Sequence, residues 1–344
     1  NMLLTPIFTP PLDTAVGGER PTVQLVDVSW EKGDYRFGFD RLKRYMDLAW
    51  SCGIRYFEIS HLFTQWGAEH APKIVVTADG REEKRFGWHT DAASAEYTAF
   101  LNDFLSALKE HLRRENRLDR CWFHISDEPS IAALESYRRA RDSVREALAD
   151  CRTMDALSDI AFYKEGLVPH PIPANNHIDA FLEEKVPHLW TYYCCGQTVD
   201  VSNRMMAMPS ARNRILGWQL YRHQIEGFLQ WGYNFWFTFL SRRFIDPYAV
   251  TDSGEAFPSG DSFIVYPGEN GEPVPSIRQL VFHEALQDMR ALQLLESRIG
   301  REAAAQWLDQ EAAEPLTFRQ YPRTAGWILE TREKLNRKIQ ETTV

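Results

Sequence analysis

The chain has 344 residues, of which 44% are hydrophobic and 25% charged; this balance buries a sizeable core and excludes disorder, collagen and coiled coil. The length fits one (β/α) barrel or two ordinary domains. With 39 basic against 48 acidic side chains the formal charge is -9, which argues against nucleic acid or an anionic membrane surface as partners and suits a small neutral substrate.

Short β-rich runs alternate with amphipathic helical stretches, the order expected of an α/β domain with a mainly parallel sheet. Strands are predicted over Met2 to Phe8, Thr22 to Val28, Ile54 to Ser60, Cys121 to Ser126, Thr153 to Ser158, His188 to Cys194, Gly227 to Trp231 and Ser262 to Tyr266. Eight is the number that closes a TIM-like (β/α)8 barrel. Helices are predicted over Phe39 to Ser51, Glu96 to Arg114, Ile131 to Ala149, Ile178 to Glu184, Asn203 to Ile225 and Ile277 to Ile299. In the second of these, Tyr97, Phe100, Leu101, Phe104, Leu105, Leu108 and Leu112 recur at helical spacing and form a core stripe.

Thr9 to Pro21 is rich in proline and glycine without a helical period, so either the first two runs form a hairpin or the barrel is irregular at its first βα unit. Two insertions, His61 to Asp91 and Trp231 to Gly260, follow strands at the end where barrels place their working loops. Residues 1–300 are read as the barrel and 301–344 as a helical extension packed on it.

Several chemistries find no signature: there is no phosphate loop, no dinucleotide fingerprint and no nucleophile elbow. His283 and Glu284 begin a zincin-like pattern, but Gln287 stands where the second histidine belongs, and the other histidines lack ligand spacing, so neither metal nor cofactor is expected. Five scattered cysteines do not make a disulfide framework. No apolar run is long enough to span a bilayer and no signal sequence is visible, so the chain as given reads as cytoplasmic, or as secreted if a segment precedes Asn1.

The strongest local signal is Trp122-Phe123-His124-Ile125-Ser126-Asp127-Glu128-Pro129. An apolar strand ends in two adjacent carboxylates; Pro129 is expected to hold Glu128 extended and Ser130 to cap the next helix. Carboxylates this close discourage each other's ionisation, so one can stay protonated near neutrality and act as a general acid. The alternative is that both merely cap the helix.

This strand end, together with Glu58-Ile59-Ser60-His61-Leu62-Phe63-Thr64-Gln65-Trp66-Gly67, Gly227-Phe228-Leu229-Gln230-Trp231-Gly232-Tyr233-Asn234-Phe235-Trp236 and Gly260-Asp261-Ser262-Phe263-Ile264-Val265-Tyr266-Pro267-Gly268, resembles glycoside hydrolase family 123 over roughly residues 1 to 299. The resemblance implies a (β/α)8 catalytic barrel and a retaining exo-β-N-acetylgalactosaminidase whose substrate supplies its own 2-acetamido nucleophile. It gives Glu128 the acid/base role and Asp127 that of steering and stabilising the acetamido group. An adjacent pair suits substrate assistance, because an ordinary retaining enzyme needs its two carboxylates roughly 5 to 5.5 Å apart across the scissile bond.

Sugar rings pack C–H faces on indoles, which gives the 11 Trp and 13 Tyr a candidate purpose. Candidate substrate-binding residues are His61, Trp66, Tyr192, Tyr193, Trp231, Asn234, Trp236, Asp261 and Tyr266, and the expected partner is an oligosaccharide or glycolipid glycan. Two other readings stay open: a two-carboxylate glycosidase pairing Glu128 with Glu58 or Glu226, and an inactive carbohydrate-binding barrel.

Overall fold

A computed structural model describes residues 1–342, which divide into two compact units: residues 1–171 with 240–242, and residues 172–239 with the chain from 243 onward. In chain order the first unit contains β1 (Met2–Thr5), β2 (Asp27–Glu31), β3 (Asp34–Gly38), α1 (Asp40–Ser51), β4 (Tyr56–Ile59), β5 (Ile74–Ala78), β6 (Arg81–Phe86), α2 (Ala95–Arg114), β7 (Cys121–Phe123), α3 (Leu134–Val144) and β8 (Arg152–Thr153).

The fold is mixed α/β with a parallel sheet. Strands β1, β4, β7 and β8 lie in that order and all pair in parallel, with Phe57 opposite Leu3 on one side and Cys121 on the other. The sheet has four strands and is open. Its strands are short, and the inner two, β4 and β7, bury Phe57, Ile59, Cys121 and Phe123.

The start of the chain departs from the expectation. The run predicted at Thr22 to Val28 neither joins the parallel sheet nor forms a hairpin with the first strand. Residues 27–31 instead pair antiparallel with β3 and in parallel with β5, giving a second sheet ordered β3-β2-β5-β6. The insertion after β4 is therefore largely a folded hairpin. Its edge strand β6 carries Arg81, Glu82, Glu83 and Lys84, exposed charges that discourage pairing with another chain.

Helix α2 joins the two sheets. Ser94 Oγ accepts from the Tyr97 N–H, and the basic last turn, with His111, Arg113 and Arg114, complements the helix dipole. The expected stripe from Tyr97 to Leu112 is buried, each large side chain worth about 1.5–3 kcal/mol relative to exposure. Phe100 and Phe104 meet Phe8 from β1's end and Tyr35 and Phe37 from β3, with centroids 4.6–5.9 Å apart. Much of the aromatic excess is spent on this packing.

In the second unit Trp190–Tyr192 pairs in parallel with Gly227–Leu229. The run predicted at Ser262 to Tyr266 is instead a strand at Val265–Pro267, antiparallel to Pro273–Pro275. The helix predicted from Asn203 begins only after Pro209, which cannot sit in a helix interior, and runs as Ala211–Arg214 and Leu216–Arg222. Helices Ile277–Ile299, Arg301–Ala312 and Ala325–Glu341 complete this unit around Trp218, Leu292, Leu295, Leu308, Ile328 and Leu335. Gly217 permits close approach: a Cβ there would stand 1.8 Å from the Ala285 carbonyl oxygen. Among the described residues no helix is long and apolar enough to cross a membrane, and the five cysteines are free thiols.

Candidate active site

The parallel ladder of β7 stops at Phe123, but the segment from His124 to Glu128 stays pinned on both sides. On one side Leu62, Phe63 and Trp66 donate their N–H groups to the carbonyls of His124, Ile125 and Asp127 at 3.1, 3.0 and 2.8 Å. On the other, Met154 N–H donates to the Phe123 carbonyl and Glu128 N–H to that of Ala156, while Ile125 N–H donates to the Asp155 carboxylate at 3.0 Å. Ser126 adds a hydroxyl bond to the Thr64 carbonyl at 2.7 Å. Asp127 and Glu128 thus sit past the C-terminal end of a parallel strand, where open α/β sheets bind ligands.

Glu128 is not extended as expected. Its φ is +44°, in the left-handed region that β-carbon sterics disfavour, and such strain persists where surrounding bonds impose it. Ser130 precedes the short helical turn Ile131–Ala133 but makes no side-chain cap; its carbonyl accepts from Ala133 N–H instead.

Beneath this turn is a cluster that sequence reasoning missed. His124 is 1% exposed; its Nδ1 lies 3.0 Å from Asp155 Oδ1, and its Nε2 lies 3.0 Å from Glu58 Oε1 in an ion-pair contact too poorly aligned for a good hydrogen bond. Burial by itself opposes the imidazolium, but the two carboxylates outweigh it and raise the His124 pKa to about 10. Asp155 also accepts from the Tyr137 hydroxyl at 2.5 Å. Burial pushes the Asp155 pKa up, and His124 and Tyr137 pull it back.

His61 stacks on His124 with centroids 4.3 Å apart. Burial, and then the neighbouring His124 charge, hold it well below the ordinary histidine range, so it is neutral. Both its ring nitrogens are buried without a hydrogen-bond partner among the described residues. Asp127 is pushed well above the ordinary carboxylate range by burial first and by Glu128 second, with His124 acting in the opposite direction.

His61, His124 and Asp155 bring possible ligand atoms within 4.8 Å of one another. Asp155 is already engaged by Ile125, His124 and Tyr137, so these groups hold one another as a hydrogen-bonded charge cluster.

Of the other predicted residues in this unit, Trp66 is 43% exposed with φ +67°, its backbone bonded to Asp127. Gln65, beside it, accepts from Asp13 N–H at 2.7 Å, and Asp13 in turn accepts from Leu240 N–H at 2.9 Å.

The remaining predicted residues belong to the second unit. Tyr193 is 0% exposed, its hydroxyl 3.4 Å from Asn213 Oδ1 and its ring edge-on to Phe228, so it is placed in the core. Tyr192 is also buried, its carbonyl accepting from Asn175 N–H. Asp261, too, is 0% exposed, and its Oδ2 accepts from Trp231 Nε1 at 3.2 Å; it orients an indole where a sugar contact was expected. Trp236 donates to the Val265 carbonyl, Tyr266 packs on Tyr248, and Asn234 is exposed opposite Phe263. Buried Arg204, missed from sequence, donates to the Gly232 and Asp261 carbonyls.

The family model described as glycoside hydrolase 123, catalytic domain, matches residues 1–295. The chain belongs to glycoside hydrolase family 123. Membership places it among the glycoside hydrolases, the enzyme class that the sequence motifs implied. A structure described in a study of glycolipid glycan hydrolysis by a family 123 glycoside hydrolase from Clostridium perfringens is similar, with a TM-score of 0.66 at 13% identity. The match covers 99% of this chain and 60% of that one, so the chain spans less than two thirds of its structural relative. No curated protein sequence matches it.

Proposed function

We propose that the chain is a retaining exo-β-N-acetylgalactosaminidase acting by substrate assistance. The observation that carries this reading is the pair of adjacent carboxylates, Asp127 and Glu128, on one bonded turn past the end of β7. Glu128 protonates the leaving oxygen and later deprotonates the incoming water. Asp127 accepts from the acetamido N–H, which makes the carbonyl oxygen a better nucleophile, and offsets charge on the oxazolinium intermediate. Two inversions at the anomeric carbon retain the β configuration.

Neutral His61, with unpartnered ring nitrogens, suits a sugar hydroxyl, and exposed Trp66 suits the apolar face of a sugar ring. Trp231, Trp236, Asn234 and Tyr266 are proposed as further walls. We read residues 1–300 as a (β/α)8 barrel of the family type, with the four parallel strands around β7 as its first part, and residues 301–344 as its helical extension. A glycan substrate follows from the family, and the glycolipid named for the structural relative supports a glycolipid glycan.

The two-carboxylate alternative is less well supported. Glu58 is engaged with His124, while Glu226 pairs on the surface with His188 at 2.7 Å and precedes the strand Gly227–Leu229, at its N-terminal end. A panel of aryl glycosides differing at C2 and C4 tests the reading. Turnover is expected only with the 2-acetamido sugars, fastest with the galacto configuration; an aryl β-galactoside cleaved as fast would end substrate assistance.

A further inference from the structure

The loop that follows β4 closes on itself. Thr64 N–H donates to the His70 carbonyl at 2.9 Å, His70 N–H returns a bond to Thr64 Oγ1 at 3.2 Å, and Ala68 N–H donates to the Thr64 carbonyl at 3.2 Å. Two helices hold this loop from outside: the Tyr97 hydroxyl of α2 donates to the Leu62 carbonyl at 2.5 Å, and Ser136 Oγ of α3 to the Gly67 carbonyl at 2.6 Å. Thr64 is thereby a fixed acceptor. The side chain that uses it belongs to the residue just before the two carboxylates: Ser126 is fully buried, and its hydroxyl donates to the Thr64 carbonyl at 2.7 Å.

We infer that Ser126 is a positioning residue for the proposed reaction, its hydroxyl tying the Asp127-Glu128 turn to the loop after β4 and so aiming the Glu128 carboxyl. This inference rests on the acid role proposed for Glu128. Three ties surround the turn: Ser126 Oγ to the Thr64 carbonyl, Trp66 N–H to the Asp127 carbonyl at 2.8 Å, and Glu128 N–H to the Ala156 carbonyl at 2.9 Å. Together they hold Glu128 at its disfavoured φ of +44°. Two of them are backbone bonds that a conservative side-chain change leaves in place, whereas the Ser126 bond can be removed alone.

A buried hydrogen bond serves packing as well as aim, and Thr64 separates the two roles. Without the serine hydroxyl the Thr64 carbonyl keeps its bond from Ala68, so no buried acceptor is stranded and the loss falls on the turn. The tie lies one residue before Asp127, where freedom in the backbone passes directly to both carboxyl groups. A displacement of about 1 Å in a reacting group costs on the order of 10²-fold in rate.

The test uses aryl β-N-acetylgalactosaminides with poor and activated leaving groups. Ser126→Ala should lower kcat about tenfold or more on the poor leaving group, with KM within about twofold of the parent. The loss should shrink on the activated leaving group, which needs little protonation. Ser126→Thr keeps the hydroxyl and should restore most of the rate. The Ser126→Ala/Glu128→Gln double variant should turn over within about twofold of Glu128→Gln alone, because the serine acts through the glutamate. Amide hydrogen exchange adds a readout without turnover: the N–H groups of Trp66 and Glu128 should exchange about tenfold faster in Ser126→Ala, while those of α2 keep their protection.

Equal losses on both leaving groups, no recovery in Ser126→Thr, additive losses in the double variant, or unchanged exchange at Trp66 and Glu128 would each overturn the inference. Should Ser126→Ala not fold, Ser126→Cys fills the space with a weak donor, and the same outcomes decide. A wild type that cleaves no aryl hexosaminide would end the proposed activity and the positioning role with it. An active wild type with an unimpaired Ser126→Ala would end the positioning role alone.

Discussion

The backbone N–H of Trp66 donates to the carbonyl of Asp127 at 2.8 Å, and Trp66 and the residue after Asp127, Glu128, hold positive φ angles of 67° and 44°. Two loops that leave neighbouring parallel strands are thus locked together at a point where each is strained. A left-handed non-glycine residue costs about 1–2 kcal/mol, and here that strain falls on Glu128, the residue proposed as the acid.

For Glu128, the proposed acid role predicts that Glu128→Gln lowers turnover by about 10² to 10⁴-fold on substrates with poor leaving groups. Activated aryl leaving groups need little protonation and should lose much less. Equal losses on both, in steady-state assays across a leaving-group series, would remove the acid role.

For Asp127, the isosteric Asp127→Asn keeps shape and loses the charge. Binding of a thiazoline that mimics the oxazoline should weaken more than binding of the free sugar, as measured by inhibition constants. Unchanged thiazoline affinity would mean that Asp127 does not touch the acetamido group.

Asp13 gives a stability prediction. Its pKa rises from 3.8 to about 6 because burial outweighs the hydrogen bonds from Leu240 and Ser241 and the nearby Arg20. The folded state therefore prefers the neutral acid, and stability is lost as pH rises through about 4 to 6. Asp13→Asn removes the charge, keeps an acceptor for Leu240 and tolerates the left-handed φ of 42°. Thermal melts should show the variant more stable than the parent by about 1 kcal/mol at pH 8, discounted for partial exposure, and the difference should vanish as pH falls below the unfolded value of 3.8.

Asp288 lies in the second unit at 0% exposure, where it accepts from Arg214 twice, at 2.7 and 3.0 Å, from Arg332 at 2.6 Å and from Trp218 at 3.1 Å. Asp288→Asn leaves two guanidinium groups without their shared anion. A loss of about 3 kcal/mol is expected by calorimetry; a loss below about 1 kcal/mol would show that solvent already screens the pair.

Gly217→Ala forces a methyl to within 1.8 Å of the Ala285 carbonyl oxygen, a backbone atom that cannot rotate away. The helices Leu216–Arg222 and Ile277–Ile299 would have to separate, at a cost of about 1–3 kcal/mol or more. An unchanged melting temperature would mean that this contact is looser than the structure places it.

Sequence alone determined the local chemistry of this protein. The stripe on α2 is legible because helical spacing records a buried face, and the Asp127-Glu128 pair is legible because an apolar strand cannot end in two carboxylates without a turn to hold them. Family membership was legible in four motifs kept in one order along the chain.

Only the tertiary structure decided what those carboxylates meet. His124 reads from period-2 alternation as an ordinary strand residue, and Asp155 and Glu58, 31 and 66 residues away from it, bear no pattern that joins them. Strand pairing brings them together, since β4 and the segment after β8 flank β7 in the sheet. The run at Thr22 to Val28 was misplaced too: its last residues, Asp27 and Val28, open a strand that pairs with β3 and, through Ser29 and Trp30, with β5. Burial likewise reassigned Tyr193 and Asp261, because one residue type serves core and ligand equally and only its neighbours decide which. Propensity and spacing are properties of neighbouring residues in the chain; charge state, strain and burial are properties of neighbours in space.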